Sequence, residues 1–151
     1  MEDLLGNIET KFNISLLEPE QYSSLGLAYI GDAVYDMIIR TLVLGAGNGK
    51  VKIFHKMTSS IVKAEAQAKL VKEILPELSE EETAVFKRGR NAKSATSAKN
   101  ASIADYRAAT GFEALLGYLY LKKNMDRGME LVKSGLEKTG QMPGQRPDSI
   151  L

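Results

Sequence analysis

Leu25 to Arg40 reads LGLAYIGDAVYDMIIR, and the fold turns on how that run is read. Positions 25, 29, 32 and 36 step by four, three and four, so they share one stripe of a helix. The stripe holds Leu25, Tyr29, Asp32 and Asp36. Leu27, Ala28, Ile30, Ala33, Val34, Met37 and Ile38 fill most of the remaining circumference, the pattern of a largely buried helix. A carboxylate on such a helix must be paired, hydrogen-bonded or bound to a cation, because burying it alone costs roughly several kcal/mol.

A second run, Tyr106 to Leu121, has the same character: YRAATGFEALLGYLYL is apolar with one acid, Glu113, flanked by Gly111 and Gly117. Glycine inside a helix costs about 1 kcal/mol relative to alanine, so the pair marks close approach of another helix. Two apolar helices, each with a central acid, are what a bundle needs to set carboxylates opposite one another. Oxygen ligands without cysteine or clustered histidine suit Mg²⁺ or Mn²⁺. The one histidine, His55, has no nucleophile motif beside it and reads as a surface or packing residue.

Around these runs the chain reads as helix throughout, an all-α protein of about six or seven helices. Residues 1–17 read as a weakly ordered lead-in, 18–138 as one helical domain, and 139–151 as an irregular tail. Pro19 suits the start of a short helix, and the glycines of GAGNGK, Gly45 to Lys50, end the first long one. That glycine stretch misses the phosphate-loop pattern at Leu44 and Val51 and follows no strand. A short basic helix is expected over Lys50–Lys56, then a longer one capped by Thr58 or Ser59 and stopped by Pro76. Ser79 with Glu82 makes a capping box, Ser102 with Asp105 a second capping pair, and Asn124 a cap for the last helix. Residues 89–101, GRNAKSATSAKNA, lack a hydrophobic period and read as a loop.

Composition narrows the function. There is no cysteine, which excludes disulfides and thiolate chemistry and agrees with a reducing compartment. Neither a signal peptide nor an apolar run of the roughly 20 residues that span a bilayer is present, so a cytoplasmic protein is expected. The net charge of +1 hides segregation. Residues 1–20 carry five acids against Lys11, whereas 87–107 carry six bases against Asp105. A basic segment in a neutral chain points to an anionic partner touching one place.

At these residues a resemblance enters. LAYIGDAVYD resembles the signature of the ribonuclease III endonuclease domain, and FEALLGYLYL is similar to that family's second metal helix. With RGRNAKS ahead of TGFEALLGYLYL, the match is to the short bacterial branch that lacks a separate double-stranded-RNA-binding domain. It covers about residues 18–138, and the motifs are specific because they occur together and in order.

The resemblance implies a helical bundle of that family's endonuclease type, hydrolysing phosphodiester bonds of double-stranded RNA to 5′-phosphate products with Mg²⁺, Mn²⁺ being a possible substitute. It implies a role in maturing the large-subunit ribosomal RNA precursor, and a symmetric homodimer with one site per protomer. Asp32 and Glu113 match the family acids and are implied metal ligands and catalytic residues. Two acids are absent: Ala28 stands four residues before Asp32, and Thr110 three before Glu113. Waters, Thr110, or Asp36 one turn beyond Asp32 are the available replacements, and Asp36 is otherwise a salt-bridge partner. Arg88, Arg90, Lys93 and Lys99 would straddle phosphates of A-form RNA, with Tyr106 beside them. Such duplexes are read by shape, phosphates and 2′-hydroxyls. The two departures leave a second reading, a catalytically weak or inactive RNA-binding module of this fold. A helical adaptor whose basic loop is only solvated surface is a third.

Overall fold

The computed structural model describes residues 3–93 and 102–144, and every described element is helical. Seven α-helices run in order: α1 Leu4–Phe12, α2 Ser24–Gly45, α3 Val51–Val62, α4 Ala64–Ile74, α5 Glu80–Asn91, α6 Ile103–Leu121 and α7 Met125–Thr139. Short 3₁₀ turns at Pro19–Gln21 and Leu75–Glu77 precede α2 and follow α4. No helix among the described residues is long and apolar enough to cross a membrane.

The hub is α6. Ten of its residues are buried, from Ala109 to Thr110, Gly111 and Phe112 and from Ala114 to Leu119, and α2, α4, α5 and α7 pack around it. Phe112 meets Tyr35 of α2 edge-on at 5.2 Å, inside a core that includes Ile39, Leu70, Ile74, Leu115, Leu131 and Leu136.

In contrast, α2 is buried on one side only. Leu27, Ala28, Val34, Tyr35, Ile39 and Val43 face inward, while Tyr29 is 82% exposed and Met37 57%. The expectation of a largely buried helix is therefore corrected. The stripe of Leu25, Tyr29 and Asp32 forms its outer face.

Local chemistry accounts for most boundaries and for the departures. The Ser79–Glu82 capping box forms as read, with reciprocal bonds of 3.1 and 2.9 Å. Ser102 accepts from the Asp105 amide, and Asn124 precedes α7 without a side-chain capping bond. The lead-in carries a nine-residue helix, α1, where at most a short helical turn is expected from sequence, with Asp3 accepting from the Gly6 amide and Leu5 buried. Thr58 is buried inside α3 and caps nothing; the break falls at Lys63, whose extended ψ of 152° ends α3 and begins α4. Helix α5 takes in Gly89 to Asn91, the first part of the expected loop, and positions 94–101 lie outside the described residues.

A partly buried ion pair joins α7 to α5. Arg127 donates to both carboxylate oxygens of Glu82 at 2.9 and 3.0 Å and to the Glu77 carbonyl at 2.8 Å. Glu82 is only 7% exposed, so Arg127→Ala strands a buried carboxylate and is expected to cost roughly 3 kcal/mol, read by urea unfolding. The Arg127 guanidinium holds the Glu82 carboxyl below its ordinary 4.5. The pair's stability is therefore fully present above pH 4.5 and lost as pH falls through the lowered folded value. An Arg127→Ala protein that unfolds at the wild-type urea concentration would mean that the pair adds nothing.

Candidate active site

Helices α2 and α6 touch backbone to backbone. A Cβ on Gly31 would lie 1.7 Å from the Glu113 carbonyl oxygen, and one on Gly117 would lie 2.0 Å from that of Leu27. The hydrogens of two glycines thus occupy the space that two methyl groups would otherwise need. This contact brings Asp32, next in sequence to Gly31, to the carboxylate of Glu113.

The electrostatics record that meeting. Burial first, then the charge of the neighbouring Asp32, push the Glu113 carboxyl well above the usual carboxylate range. Gln67 of α4 opposes the shift, its Nε2 donating to Glu113 Oε2 at 3.1 Å. Two carboxylates so placed call for a shared proton or a cation between them. The donor set is hard oxygen without sulfur or imidazole, and no group of three or more acids, histidines or cysteines assembles among the described residues. Such a pair fits Mg²⁺, which binds through one or two carboxylates and keeps several of its waters.

The other candidates are distributed differently. Asp36 pairs with Arg40 at 2.6 Å on the outer face of α2. Ala28 is buried, and the Thr110 hydroxyl donates back to the Tyr106 carbonyl at 3.0 Å.

The basic residues begin on α5. Gly89 rests on α6, where a Cβ would lie 2.8 Å from that of Ala114 and 2.9 Å from the Cα of Gly111. That contact holds the last turn of α5 helical and sets Arg88 and Arg90 on either side of it. The Arg90 guanidinium stacks 5.6 Å from the centre of the Phe86 ring, while Arg88 and Lys93 are exposed. Lys87 and Arg88 border a groove shared with Ser23, Ser24 and Leu25 at the start of α2. Leu25 lies on the Asp32 stripe, seven residues and thus roughly 10 Å away along the axis. Tyr106 is half-buried near the start of α6, and Lys99 lies outside the described residues.

Sequence reading missed Gln67 and Gly31. Neither has a local signal: glutamine is an ordinary helix former, and Gly31 stands inside a motif read for its acid.

Comparison with known proteins follows the same lines. Residues 25–124 match the ribonuclease III domain family. The chain is 47% identical to a Mini-ribonuclease 3 of Clostridium tetani over 149 residues, covering 96% of this chain and 95% of that one. It is 45% identical to the Mini-ribonuclease 3 of Enterococcus faecalis, covering 81% and 94%. A crystal structure of a Fusobacterium nucleatum protein superposes with a TM-score of 0.72 at 29% identity, covering 78% of this chain and 96% of the other.

Proposed function

The chain belongs to the ribonuclease III family, among the Mini-ribonucleases 3, and from that membership we propose that Asp32 and Glu113 are the acids on which its cleavage depends. The protein is a double-stranded-RNA endoribonuclease, and maturation of 23S ribosomal RNA is the known role of this family. The family is generally Mg²⁺-dependent. The observation that carries the site reading is the meeting of Asp32 with Glu113 at the Gly31 contact.

Asp32 and Glu113 would hold a divalent cation, which would supply an acidified water and charge neutralisation at the phosphate for hydrolysis to a 5′-phosphate product. Gly31 and Gly117 keep the two helices close enough for both acids to serve one centre. Arg88, Arg90 and Lys93 meet the phosphates of the duplex along the α2 stripe. Tyr106 belongs to the same interface, and the family resemblance adds Lys99, outside the described residues, to the RNA-binding set. No appended domain is needed for contacts of this kind, because they are to the backbone of the duplex.

The exposed Leu25 and Tyr29 on the Asp32 stripe, and the apolar groove beside Tyr29 lined by Leu5, Ile8, Leu16 and Ile30, support a homodimer through this side of α2. Sedimentation equilibrium tests it; a monomer at concentrations where cleavage is full would remove the dimer.

The experiment on the interface is duplex binding in Ca²⁺ and cleavage in Mg²⁺ as a function of salt, with Arg88→Ala/Arg90→Ala beside the wild type. Loss of two phosphate contacts is expected to flatten the log–log salt slope by about two and to weaken binding to every duplex alike. A wild-type slope would make the end of α5 a solvated surface. Cleavage that persists in EDTA would remove the metal reading.

A further inference from the structure

We propose that Gln67 is a positioning residue for Glu113, a buried carboxamide of α4 that holds the carboxylate in the orientation a hydrated divalent cation requires. This rests on the Asp32–Glu113 reading above and adds a third helix to the site.

The geometry is specific. Gln67 is 2% exposed, and its Nε2 donates to the Val62 carbonyl at 2.8 Å and to Glu113 Oε2 at 3.1 Å. Both partners are acceptors, so the nitrogen and not the oxygen must face them, and both amide hydrogens are engaged. The side chain therefore has one orientation. Its anchor comes from the break between α3 and α4. Extended backbone at Lys63 ends α3, and carbonyls of a last helical turn lack intrahelical partners. Val62 supplies one of these to Gln67.

A residue present only to fill space there would be leucine or methionine. Gln67 is kept although its Oε1 is buried without a hydrogen-bond partner. The Tyr35 hydroxyl is also buried and unpartnered. Uncompensated polar atoms in an otherwise apolar core are disfavoured, and they concentrate where function retains them. Gln67 fixes one carboxylate oxygen to α4 and so sets the plane in which Glu113 meets Asp32. Partners that orient a ligand in this way typically govern metal affinity or activity by about 10- to 100-fold.

The test is Gln67→Met, which keeps length and volume and removes the donor, with Gln67→Leu as a second variant. Mn²⁺ affinity is measured by calorimetry without RNA, together with thermal midpoint and with kcat and KM on duplex RNA. Gln67→Met is expected to stay folded, melting somewhat below the wild type because the Val62 carbonyl loses its donor, and to bind Mn²⁺ about 10- to 100-fold more weakly when both are measured well below their melting temperatures. Its kcat should fall by a similar factor at constant KM and recover in part as Mn²⁺ is raised. Wild-type Mn²⁺ affinity in a folded Gln67→Met, while Glu113→Gln loses it, overturns this inference alone. Wild-type affinity in Glu113→Gln overturns the site reading and this inference with it. A loss of kcat in both variants that follows only a lowered melting temperature, and returns on cooling, makes Gln67 structural and also overturns it.

Discussion

Asp32→Asn is expected to lower turnover of duplex RNA by on the order of a thousand-fold or more while the protein stays folded and still binds its substrate. The size follows from what the acid does. A metal ion at a phosphoryl centre is worth several kcal/mol of transition-state stabilisation, and each 1.36 kcal/mol is a factor of about ten in rate. The amide keeps the shape of the acid but loses the charge that holds the cation. Asp32 is exposed, so little packing is disturbed, and removing its charge relieves its repulsion of Glu113. Thermal stability without metal should therefore be unchanged or slightly raised. That combination separates a functional loss from a folding defect. Because both acids serve one centre, Asp32→Asn/Glu113→Gln should be barely worse than either single change. Wild-type-like turnover in Asp32→Asn ends the ligand reading.

The second large effect needs no change of charge. Gly31→Ala places a methyl group 1.7 Å from the Glu113 carbonyl oxygen and 2.8 Å from the Gly117 amide nitrogen. Both are backbone atoms of a helix packed on several sides, so no rotamer can yield. In an open helix the same change gains about 1 kcal/mol of propensity. Here α2 and α6 must separate, and overpacking of this severity is expected to cost roughly 3 kcal/mol, lowering the melting temperature by about 6–12 °C. Separation also draws Asp32 from Glu113, so cleavage should be impaired even well below the melting temperature. Gly45→Ala is the control, since a Cβ there meets nothing within 4 Å. A Gly31→Ala protein with wild-type melting and activity would mean that the helices have slack at this crossing.

Much of this molecule is legible without coordinates, because it depends on neighbours along the chain. The periodicity of 25–40 and of 106–121 announces two apolar helices, Ser79 and Glu82 are three residues apart and cap each other, and Asp32 and Glu113 stand out as acids in apolar surroundings. The glycines of α6, out of place in a helix interior by propensity, mark its points of contact. Gly111 meets Phe86 of α5, and Gly117 meets Leu27 of α2.

What only the tertiary structure decided concerns the groups facing each residue across the fold. Sequence made 25–40 the centre, yet α6 is the hub and α2 has one open face, because the burial of a helix is set by how many others surround it. Gly31 has no local signal of its role, which comes from a carbonyl of another helix lying against it. Gln67 and Glu113 are 46 residues apart and share one hydrogen bond. Residue type and local spacing determined that two acids would be buried or partnered. The backbone contact of α2 with α6, and a helix break at Lys63, decided that the two acids would be partners and which amide would hold one of them.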